Sequence, residues 1–350
     1  MQIGIPKELH PAERRVAMTP SACGKLVARG FSVVLEEGAG TSARFDDAAY
    51  LAAGATLADR ATVYGTSDLV LQINPIDAAD AALLRPGGRV ACFWFGDLAR
   101  DAATILRSKR ATLLAYEKIP RTTVAQSFDV LSSMANVAGY RAVIEASNEI
   151  GSFLSLQMTA AGKVPPRKVL VIGAGVAGLA AIGAARALGA DVRAFDTRPA
   201  VKEEVKSLGA RFLELQFKES GDGGGGYAKT MSKEFIDAEM ALFRAQAPEL
   251  DVVITTALIP GRPAPKLWMA DMVRAMKPGS VIVDMAAEQG GNCELTRPGE
   301  RTDVGGVVIL GYTDLASRMA GDASTFFANN MVHMLRHVSV AGEQGAIAFD

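Results

Sequence analysis

A glycine-rich turn offers the clearest chemistry in this sequence. Gly173, Gly175 and Gly178 follow the apolar run Lys168–Ile172 with the spacing GxGxxG, and an apolar helical stretch comes next. In such a turn the first glycine permits a tight bend, the second lets the backbone approach a pyrophosphate, and the third lets the helix pack closely on the strand. The helix N-terminus offers unpaired N–H groups to the phosphates. The pattern therefore predicts a dinucleotide site, and the alternative is a glycine turn without a ligand.

A carboxylate at the end of the next predicted strand indicates which dinucleotide binds. Asp196 follows Asp191–Phe195 and lies eighteen residues after Gly178. A carboxylate there hydrogen-bonds the adenosine ribose hydroxyls and repels the 2′-phosphate of NADP. Arg198 keeps the second possibility open, because a nearby arginine can bind that phosphate. With Asp196 present, the sequence favours NAD(H).

Candidates for acid–base or metal chemistry are few. His10, His333 and His337 are the only histidines. The last two are four residues apart and would share one helical face, as a metal-binding pair does, but no acidic or cysteine ligand accompanies them. We therefore predict no metal site. A nucleotide site without an obvious proton-transfer histidine favours hydride transfer that needs no general base.

The composition excludes several classes of protein. The formal net charge of the 350-residue chain is −1, so no basic surface predicts nucleic-acid binding. Three scattered cysteines, Cys23, Cys92 and Cys293, indicate free thiols in a reducing compartment. The first ten residues show no signal-peptide pattern. The uncharged stretch Val169–Ala185 contains four glycines and is predicted to be a strand, a turn and a helix, so we predict no membrane-spanning segment.

Two series of short apolar runs alternate with helical patterns, which predicts an α/β protein with two Rossmann-like, doubly wound parallel-sheet domains. The predicted strands are Gln2–Ile5, Ser32–Leu35, Asp68–Gln72, Arg89–Phe93, Thr112–Tyr116, Lys168–Ile172, Asp191–Phe195, Arg211–Leu215, Asp251–Thr255, Ser280–Asp284 and Val307–Leu310. A helical stretch, Val130–Leu156, joins the series and is expected to end before Pro165-Pro166. A last helical stretch, Asp314–His337, is expected to pack back on the first domain. The predicted domains are therefore 1–135 plus about 314–350, and 136–313.

One segment of the second series is irregular. Between Leu215 and Asp251 the chain contains a glycine run within Glu219–Tyr227, followed by a helical pattern over Ala228–Ala247. Glycine lowers the cost of alternative backbone conformations. The segment 219–232 is either a tolerated surface insertion or a mobile loop that closes over a ligand.

Several motifs together resemble one family, the NAD(H)-binding subunit of proton-translocating nicotinamide nucleotide transhydrogenases. The matching segments are Gly4–Glu8, Arg14–Pro20, Pro120–Ser133, Asn136–Arg141, Thr255–Pro265, Met276–Asp284 and Glu288–Cys293. The similarity extends over nearly the whole chain, and the loop with Arg121, Gln126 and Asp129 is its most specific part.

The resemblance implies a homodimer in which each chain has two domains with a cleft between them. It also implies a role for each of these loop residues. Arg121, Asp129 and Ser132 would hold the nicotinamide carboxamide and ribose of NAD(H). Gln126 would help to position the nicotinamide of NADP(H), which a partner subunit supplies. Other positions that match nucleotide contacts are Val176, Asp196, Thr197, Arg198, Gly226 and Leu258, and Tyr227 and Met231 would close over the bound nucleotide.

The resemblance also implies the reaction and the assembly. The family transfers hydride directly between NAD(H) and NADP(H), with Re/Si specificity, and couples the transfer to proton movement through separate membrane segments. The chain would be active only with partner subunits, one transmembrane and one that binds NADP(H). It would be cytoplasmic and peripheral on the inner membrane, without inserting into it.

Alanine dehydrogenases are the main alternative, because they share the fold and a similar amino terminus. That family places a catalytic lysine and histidine near its substrate, whereas the matching positions here are Gln72, Asn74 and Trp94. Arg15 is retained, but it could not alone orient and deprotonate an amino acid. A non-catalytic NAD sensor is a third possibility, and it would not need a loop for a second nicotinamide.

Overall fold

The computed structural model describes residues 1–94, 100–120, 122–215, 221, 231–258, 262–339 and 344–347. The chain divides into two compact units, Met1–Met134 with Ala316–Asp350, and Ala135–Leu315. Each unit contains a mainly parallel sheet with helices between its strands, so the predicted fold class is confirmed. None of the helices in the described ranges is long and apolar enough to cross a membrane.

The first unit is built on six parallel strands. They are β1 Gln2–Ile5, β2 Ser32–Glu36, β3 Thr56–Ala58, β4 Leu69–Leu71, β5 Arg89–Cys92 and β6 Thr112–Ala115. Their order across the sheet is β3-β2-β1-β4-β5-β6. Strand β3 was not predicted from the sequence; it is a three-residue edge strand whose side chains are all partly or fully exposed. An edge strand so short shows no apolar alternation that could predict it.

Side-chain caps begin most helices of the first unit. Its helices are α1 Pro20–Val27, α2 Asp47–Ala52, α3 Arg60–Thr66, α4 Ala78–Leu83 and α5 Arg100–Ser108. Thr19, Asp46, Asp59 and Asp77 each accept a hydrogen bond from a backbone N–H in the first turn of α1, α2, α3 and α4. These bonds satisfy donors that a helix start otherwise leaves unpaired.

A long helix and a hairpin connect the two sheets in sequence. Helix α6, Val130–Glu149, is shorter than predicted, because the chain turns at Gly151 with φ +59°. The antiparallel strands β7, Gln157–Thr159, and β8, Gly162–Val164, follow. Pro165 therefore follows this hairpin, which the sequence analysis did not predict.

The second unit contains a seven-stranded sheet. Its strands are β9 Lys168–Ile172, β10 Asp191–Phe195, β11 Arg211–Phe212, β12 Val252–Thr255, β13 Val281–Asp284, β14 Arg301–Val304 and β15 Val307–Leu310. Their order is β11-β10-β9-β12-β13-β15-β14, and only β14 is antiparallel. The chain runs outward in opposite directions on the two sides of β9, so the carboxyl end of β9 is a topological switch point, where such sheets bind ligands.

Alternating residues of the central strands pack on opposite faces of this sheet. Val169 and Val171 of β9 belong to one apolar cluster, and Leu170 and Ile172 belong to another. The helices of the unit are α7 Val176–Ala187, α8 Lys202–Ser207, α9 Lys233–Gln246 and α10 Ala270–Ala275. Residues of α6, α7 and α8 join the first cluster, and residues of α9 and α10 join the second. Burial on both faces explains why these strands are continuous apolar runs.

The last helix, α11 Ala320–His337, belongs to the first unit. A 3₁₀ turn, Ser317–Met319, precedes it, so the regular helix begins six residues later than the predicted stretch. Phe327 and Met331 on its buried face are fully inaccessible to solvent.

Candidate functional site

The glycine turn after β9 has the geometry that its sequence predicts. Gly173 has φ +98°, and a Cβ placed there would lie 2.3 Å from Oγ1 of Thr256. A Cβ at Gly178 would lie 1.8 Å from the carbonyl oxygen of Gly173. Both positions therefore require glycine. A Cβ at Gly175 would meet nothing within 4 Å, so the turn is open to a ligand at the start of α7, as close approach of a pyrophosphate requires.

Thr256 holds this turn from the neighbouring strand. Its backbone N–H donates to the carbonyl oxygen of Ile172 at 2.9 Å. Its hydroxyl lies 3.2 Å from the same oxygen and 3.3 Å from the carbonyl oxygen of Gly173. Because β9 and β12 are paired in the sheet, Thr256 reaches the turn directly after β12 ends.

Asp196 is bonded both to the glycine turn and to Arg198. Its Oδ2 accepts from the N–H of Ala174 at 2.7 Å, and its Oδ1 accepts from the N–H of Arg198 at 2.9 Å. The guanidinium of Arg198 adds Nε to Oδ1 at 2.9 Å and Nη2 to Oδ2 at 2.8 Å. The Asp196 side chain is only 7% exposed. Arg198, which the sequence offered as a possible partner of a 2′-phosphate and as a nucleotide contact, is in the structure the ion-pair partner of Asp196.

A second carboxyl group lies behind Asp196. Helix α9 begins at the Ser232 cap and places Phe235, Glu239 and Phe243 one turn apart on a buried face. Phe243 packs edge-on against Phe195, the residue before Asp196, with ring centroids 5.1 Å apart. Burial, and then the charge of Asp196, raise the pKa of Glu239 to about 7. Glu239 was not predicted as a site residue, although its position between Phe235 and Phe243 on one helical face is a sequence signal of burial.

The remaining predicted nucleotide contacts differ in exposure. Val176 and Leu258 are 44% and 40% exposed, although apolar side chains of this size are usually buried. Thr197 accepts a hydrogen bond from the N–H of Gly221 through its carbonyl oxygen at 2.9 Å. Met231 is partly buried against the apolar cluster that contains Phe235. Arg121, Gly226 and Tyr227 lie outside the described residues.

Asn292 fixes the segment that carries Leu258. Its Oδ1 accepts from the N–H of Ala257 at 3.0 Å, and its Nδ2 donates to the carbonyl oxygens of Ala257 and Pro265, both at 2.8 Å. The carboxylate of Asp284 in turn accepts from the N–H of Asn292 at 3.1 Å. Three of the motifs that carry the family resemblance therefore meet here, and the fully buried side chains of Asp284 and Asn292 support the third, which contains Ala257 and Pro265.

The predicted hydride-transfer loop lies in the first unit. Val124–Phe128 forms a 3₁₀ helix, and the side chain of Gln126 on it is exposed. Asp129 accepts from the N–H of Ser132 at 3.1 Å and from its hydroxyl at 2.6 Å. This contact caps the first turn of α6. The structure thus brings Asp129 and Ser132 together and leaves Gln126 at the surface.

The positions that distinguish the alanine dehydrogenase alternative are filled by neutral, paired side chains. Gln72 accepts from the hydroxyl of Tyr64 at 2.7 Å, and Asn74 donates through Nδ2 to Glu8 at 2.8 Å. The guanidinium of Arg15 forms two bonds with Glu13, at 2.7 and 2.6 Å. Burial raises the pKa of Glu8 to about 7. None of these side chains is the lysine or the histidine that an alanine dehydrogenase would use.

The two histidines of α11, His333 and His337, are not part of any metal-ligand cluster among the residues that the structure describes. His337 stacks on Phe128 with ring centroids 5.3 Å apart. Within the described ranges, no three His, Cys, Asp or Glu side chains are grouped so that they could hold a metal ion.

Comparison with known proteins supports the resemblance. Residues 4–138 match the N-terminal domain of the alanine dehydrogenase/PNT family, and residues 142–349 match the C-terminal domain. The NAD(P) transhydrogenase subunit alpha of Cereibacter sphaeroides is 52% identical over 96% of this chain, which spans 65% of that relative's length. In Rhodospirillum rubrum, a polypeptide named as one portion of the NAD(P) transhydrogenase subunit alpha is 45% identical, and the match covers 96% of this chain and 89% of the relative.

A crystal structure of transhydrogenase from Sinorhizobium meliloti superposes with a TM-score of 0.87 at 43% identity, covering 96% of this chain and 94% of the other. The alanine dehydrogenase of Halomonas elongata has a lower identity, 33% over the whole of this chain and 91% of that protein. The transhydrogenase relatives are more similar in sequence to this chain than the alanine dehydrogenase is, and the neutral side chains of Gln72 and Asn74 favour the same choice. The chain therefore belongs to the alanine dehydrogenase/PNT family, and within it resembles the transhydrogenase alpha subunits more than the alanine dehydrogenases.

Proposed function

We propose that this chain is the NAD(H)-binding component of a proton-translocating transhydrogenase. The observation that carries the proposal is the glycine turn at the carboxyl end of β9, hydrogen-bonded through Ala174 to the carboxylate of Asp196. A turn open to a pyrophosphate beside a carboxylate at the ribose position fits NAD(H). The names and identities of the transhydrogenase relatives support the choice of reaction.

The second unit would bind the nucleotide. The N–H groups at the start of α7, beginning at Gly175 and Val176, would hold the pyrophosphate, and Asp196 would hold the adenosine ribose. Since Asp196 already accepts bonds from Arg198, the ribose hydroxyls would replace part of that ion pair. Further contacts are assigned to Gly173, Gly178, Thr197, Gly226, Tyr227, Met231 and Leu258.

The loop of the first unit would organise the reaction. Bound NAD(H) supplies or accepts the hydride. Arg121, Asp129 and Ser132 are assigned to its nicotinamide end, and Gln126 to the nicotinamide of NADP(H) on a partner subunit. Direct transfer between two nicotinamides needs no acid or base, only close apposition with water excluded. The bonds between Asp129 and Ser132 hold both side chains before any ligand arrives.

The assembly would include further subunits. We propose a homodimer that docks peripherally, at the cytoplasmic side of the membrane, on transmembrane subunits that move protons, with NADP(H) on another component. Its domains would be 1–135 plus about 314–350, and 136–313, with a mobile loop at 219–232. The glycine content of this loop and its place before α9 support the assignment.

Two assays test the proposal. NADH titration of the isolated chain should show saturable binding, and adding an NADP(H)-binding partner should then produce hydride transfer between the two nucleotides. The alternative predicts NADH production from L-alanine and NAD by the isolated chain. Steady production would favour an amino-acid dehydrogenase, and NADH binding without transfer in the complex would favour a sensor.

A further inference from the structure

Two side chains of α11 contact the two residues that follow Gln126, one through a backbone carbonyl and one through an aromatic ring. Nδ2 of Asn330 donates to the carbonyl oxygen of Ser127 at 2.8 Å, across 203 positions of sequence. The ring of His337 stacks on Phe128, with the ring planes 29° apart. Ser127 and Phe128 are the two residues between Gln126 and Asp129. The contacts therefore lie at the point where the exposed Gln126 side chain joins the rest of the unit.

Helix α11 is itself fixed to the sheet of the first unit. Phe327 packs edge-on against Tyr116 with ring centroids 5.4 Å apart. The hydroxyl of Tyr116 donates to the carbonyl oxygen of Ala91 in β5 at 2.9 Å. A helix held in this way can serve as a rigid support for a neighbouring segment.

The burial of Asn330 needs an explanation, because a buried amide costs free energy unless it is hydrogen-bonded. Asn330 is 7% exposed, and in the described part of the chain its Oδ1 has no hydrogen-bond donor. Among the described residues, its side chain forms one hydrogen bond, the bond to Ser127. The 3₁₀ helix Val124–Phe128 has no side-chain cap of its own. The side-chain amide of Asn330 therefore stabilises the segment Val124–Phe128 and not helix α11.

We propose that Asn330 and His337 are positioning residues for hydride transfer. They fix the backbone at Ser127 and Phe128, so that Gln126 presents its amide at one place. Asp129 is held separately by the first turn of α6, so NADH binding depends little on this support. The inference rests on the proposed function, in which Gln126 organises the second nicotinamide.

The first test uses His337, because its side chain is exposed and its replacement leaves the core unchanged. His337→Ala should slow single-turnover hydride transfer in the complex with the NADP(H)-binding partner about 10-fold, since misplacement by about 1 Å can cost on the order of 100-fold. The Kd for NADH should stay within about 2-fold of the wild-type value, which is well below the tenfold change that corresponds to about 1.4 kcal/mol. His337→Phe retains a stacking ring and should restore most of the rate. His333→Ala, at an exposed position one turn earlier, is the matched control and should transfer at the wild-type rate.

The second test removes the hydrogen bond. Asn330→Asp keeps the shape of the side chain but replaces the donor with a carboxylate facing the carbonyl of Ser127, so it should slow transfer at least as much as Asn330→Ala. The control is Asn329→Ala on the same helix, where the side chain accepts from Nζ of Lys25 at 3.0 Å.

Gln126→Asn separates failure of this inference from failure of the proposed function. If it slows transfer while the Asn330 and His337 variants keep the wild-type rate, the positioning role is refuted and the proposed function stands. If Gln126→Asn also transfers at the wild-type rate, the assignment of Gln126 is refuted together with the positioning role, and the proposed function is then decided by whether the wild-type complex transfers hydride at all. Slow transfer accompanied by an equal loss of NADH affinity in the α11 variants would show a general structural role and overturn the proposal.

Discussion

The ion pair between Asp196 and Arg198 leads to a quantitative prediction about nucleotide choice. Asp196→Asn retains an acceptor for Ala174 but removes the charge that holds the guanidinium of Arg198. NADH should then bind more weakly, because the ribose hydroxyls lose a charged acceptor. NADPH should bind more tightly, because the 2′-phosphate no longer meets a carboxylate and lies near a guanidinium that can bind phosphate.

The structure sets the size of the NADH effect. A hydrogen bond to a charged group contributes roughly 1.5–3 kcal/mol. In the free chain Arg198 already occupies the carboxylate, and giving up one of its hydrogen bonds to the ribose costs about 1 kcal/mol, the typical net value of a hydrogen bond. The net loss is therefore about 0.5–2 kcal/mol, which corresponds to a roughly 2- to 30-fold increase in the Kd for NADH. The gain in NADPH binding adds to the change in the ratio of the two affinities.

Calorimetric titration of both nucleotides checks the prediction. Asp191→Asn, at the opposite end of β10, is the control and should leave both affinities unchanged. Adding Arg198→Met to Asp196→Asn should reduce the gain in NADPH binding to the part that comes from removing the carboxylate, and it should not reverse the loss in NADH binding. If Asp196→Asn leaves the ratio of NADH to NADPH affinity at its wild-type value, the carboxylate does not select the nucleotide, and the assignment of the ribose position is wrong.

Three other residues or segments give predictions of their own. Gln126→Asn should leave NADH affinity nearly unchanged and slow single-turnover transfer in the complex on the order of 100-fold, and an unchanged rate would contradict its assignment. NADH should slow limited proteolysis within 219–232, since nucleotide contacts would offset the entropy of ordering a glycine-rich segment, and cleavage that NADH does not affect would indicate a plain surface insertion. Glu239, whose pKa is raised from 4.5 to about 7, should make the folded state lose roughly 3 kcal/mol of stability as pH rises between these values, because the unfolded chain ionises first. The free energy of unfolding in urea, measured at pH 5 and pH 8, should show that Glu239→Gln removes this loss while the exposed Glu234→Gln does not. If wild type and Glu239→Gln lose the same stability between these pH values, the buried ionisation is refuted.

The elements that the sequence predicted correctly are those buried on both faces. Strands β9, β10 and β15 have the predicted bounds, because sheets covered by helices on both sides require continuous apolar runs. The missed elements β3, β14 and the β7–β8 hairpin are short and partly exposed, so their side chains carry little periodicity. The end of α6 was predicted too late, at Leu156, whereas the helix ends at Glu149 and the chain turns at Gly151 with φ +59°.

Parts of the candidate site could be predicted because their geometry is local. The glycine turn is specified by three residues within six positions, and Asp196 by the end of the next strand. The pairing of Asp196 with Arg198 was accessible too, since residues two apart in extended backbone point to the same side. The contacts of Glu239 and Asn330 were not accessible, because each depends on packing between elements that are distant in sequence.

Burial separates two kinds of residue that the sequence motifs mix. Asp284 and Asn292 are fully buried, and the bonds of the Asn292 side chain go to the loop around Ala257. Gln126 and Leu258, in contrast, are exposed at positions assigned to nucleotide. The motif residues therefore include a buried set that supports a loop and an exposed set that is assigned to the nucleotide. Because direct hydride transfer depends on placement and not on proton transfer, substitutions in the supporting set should affect catalysis through distance, so their effects should depend little on the pH at which transfer is measured.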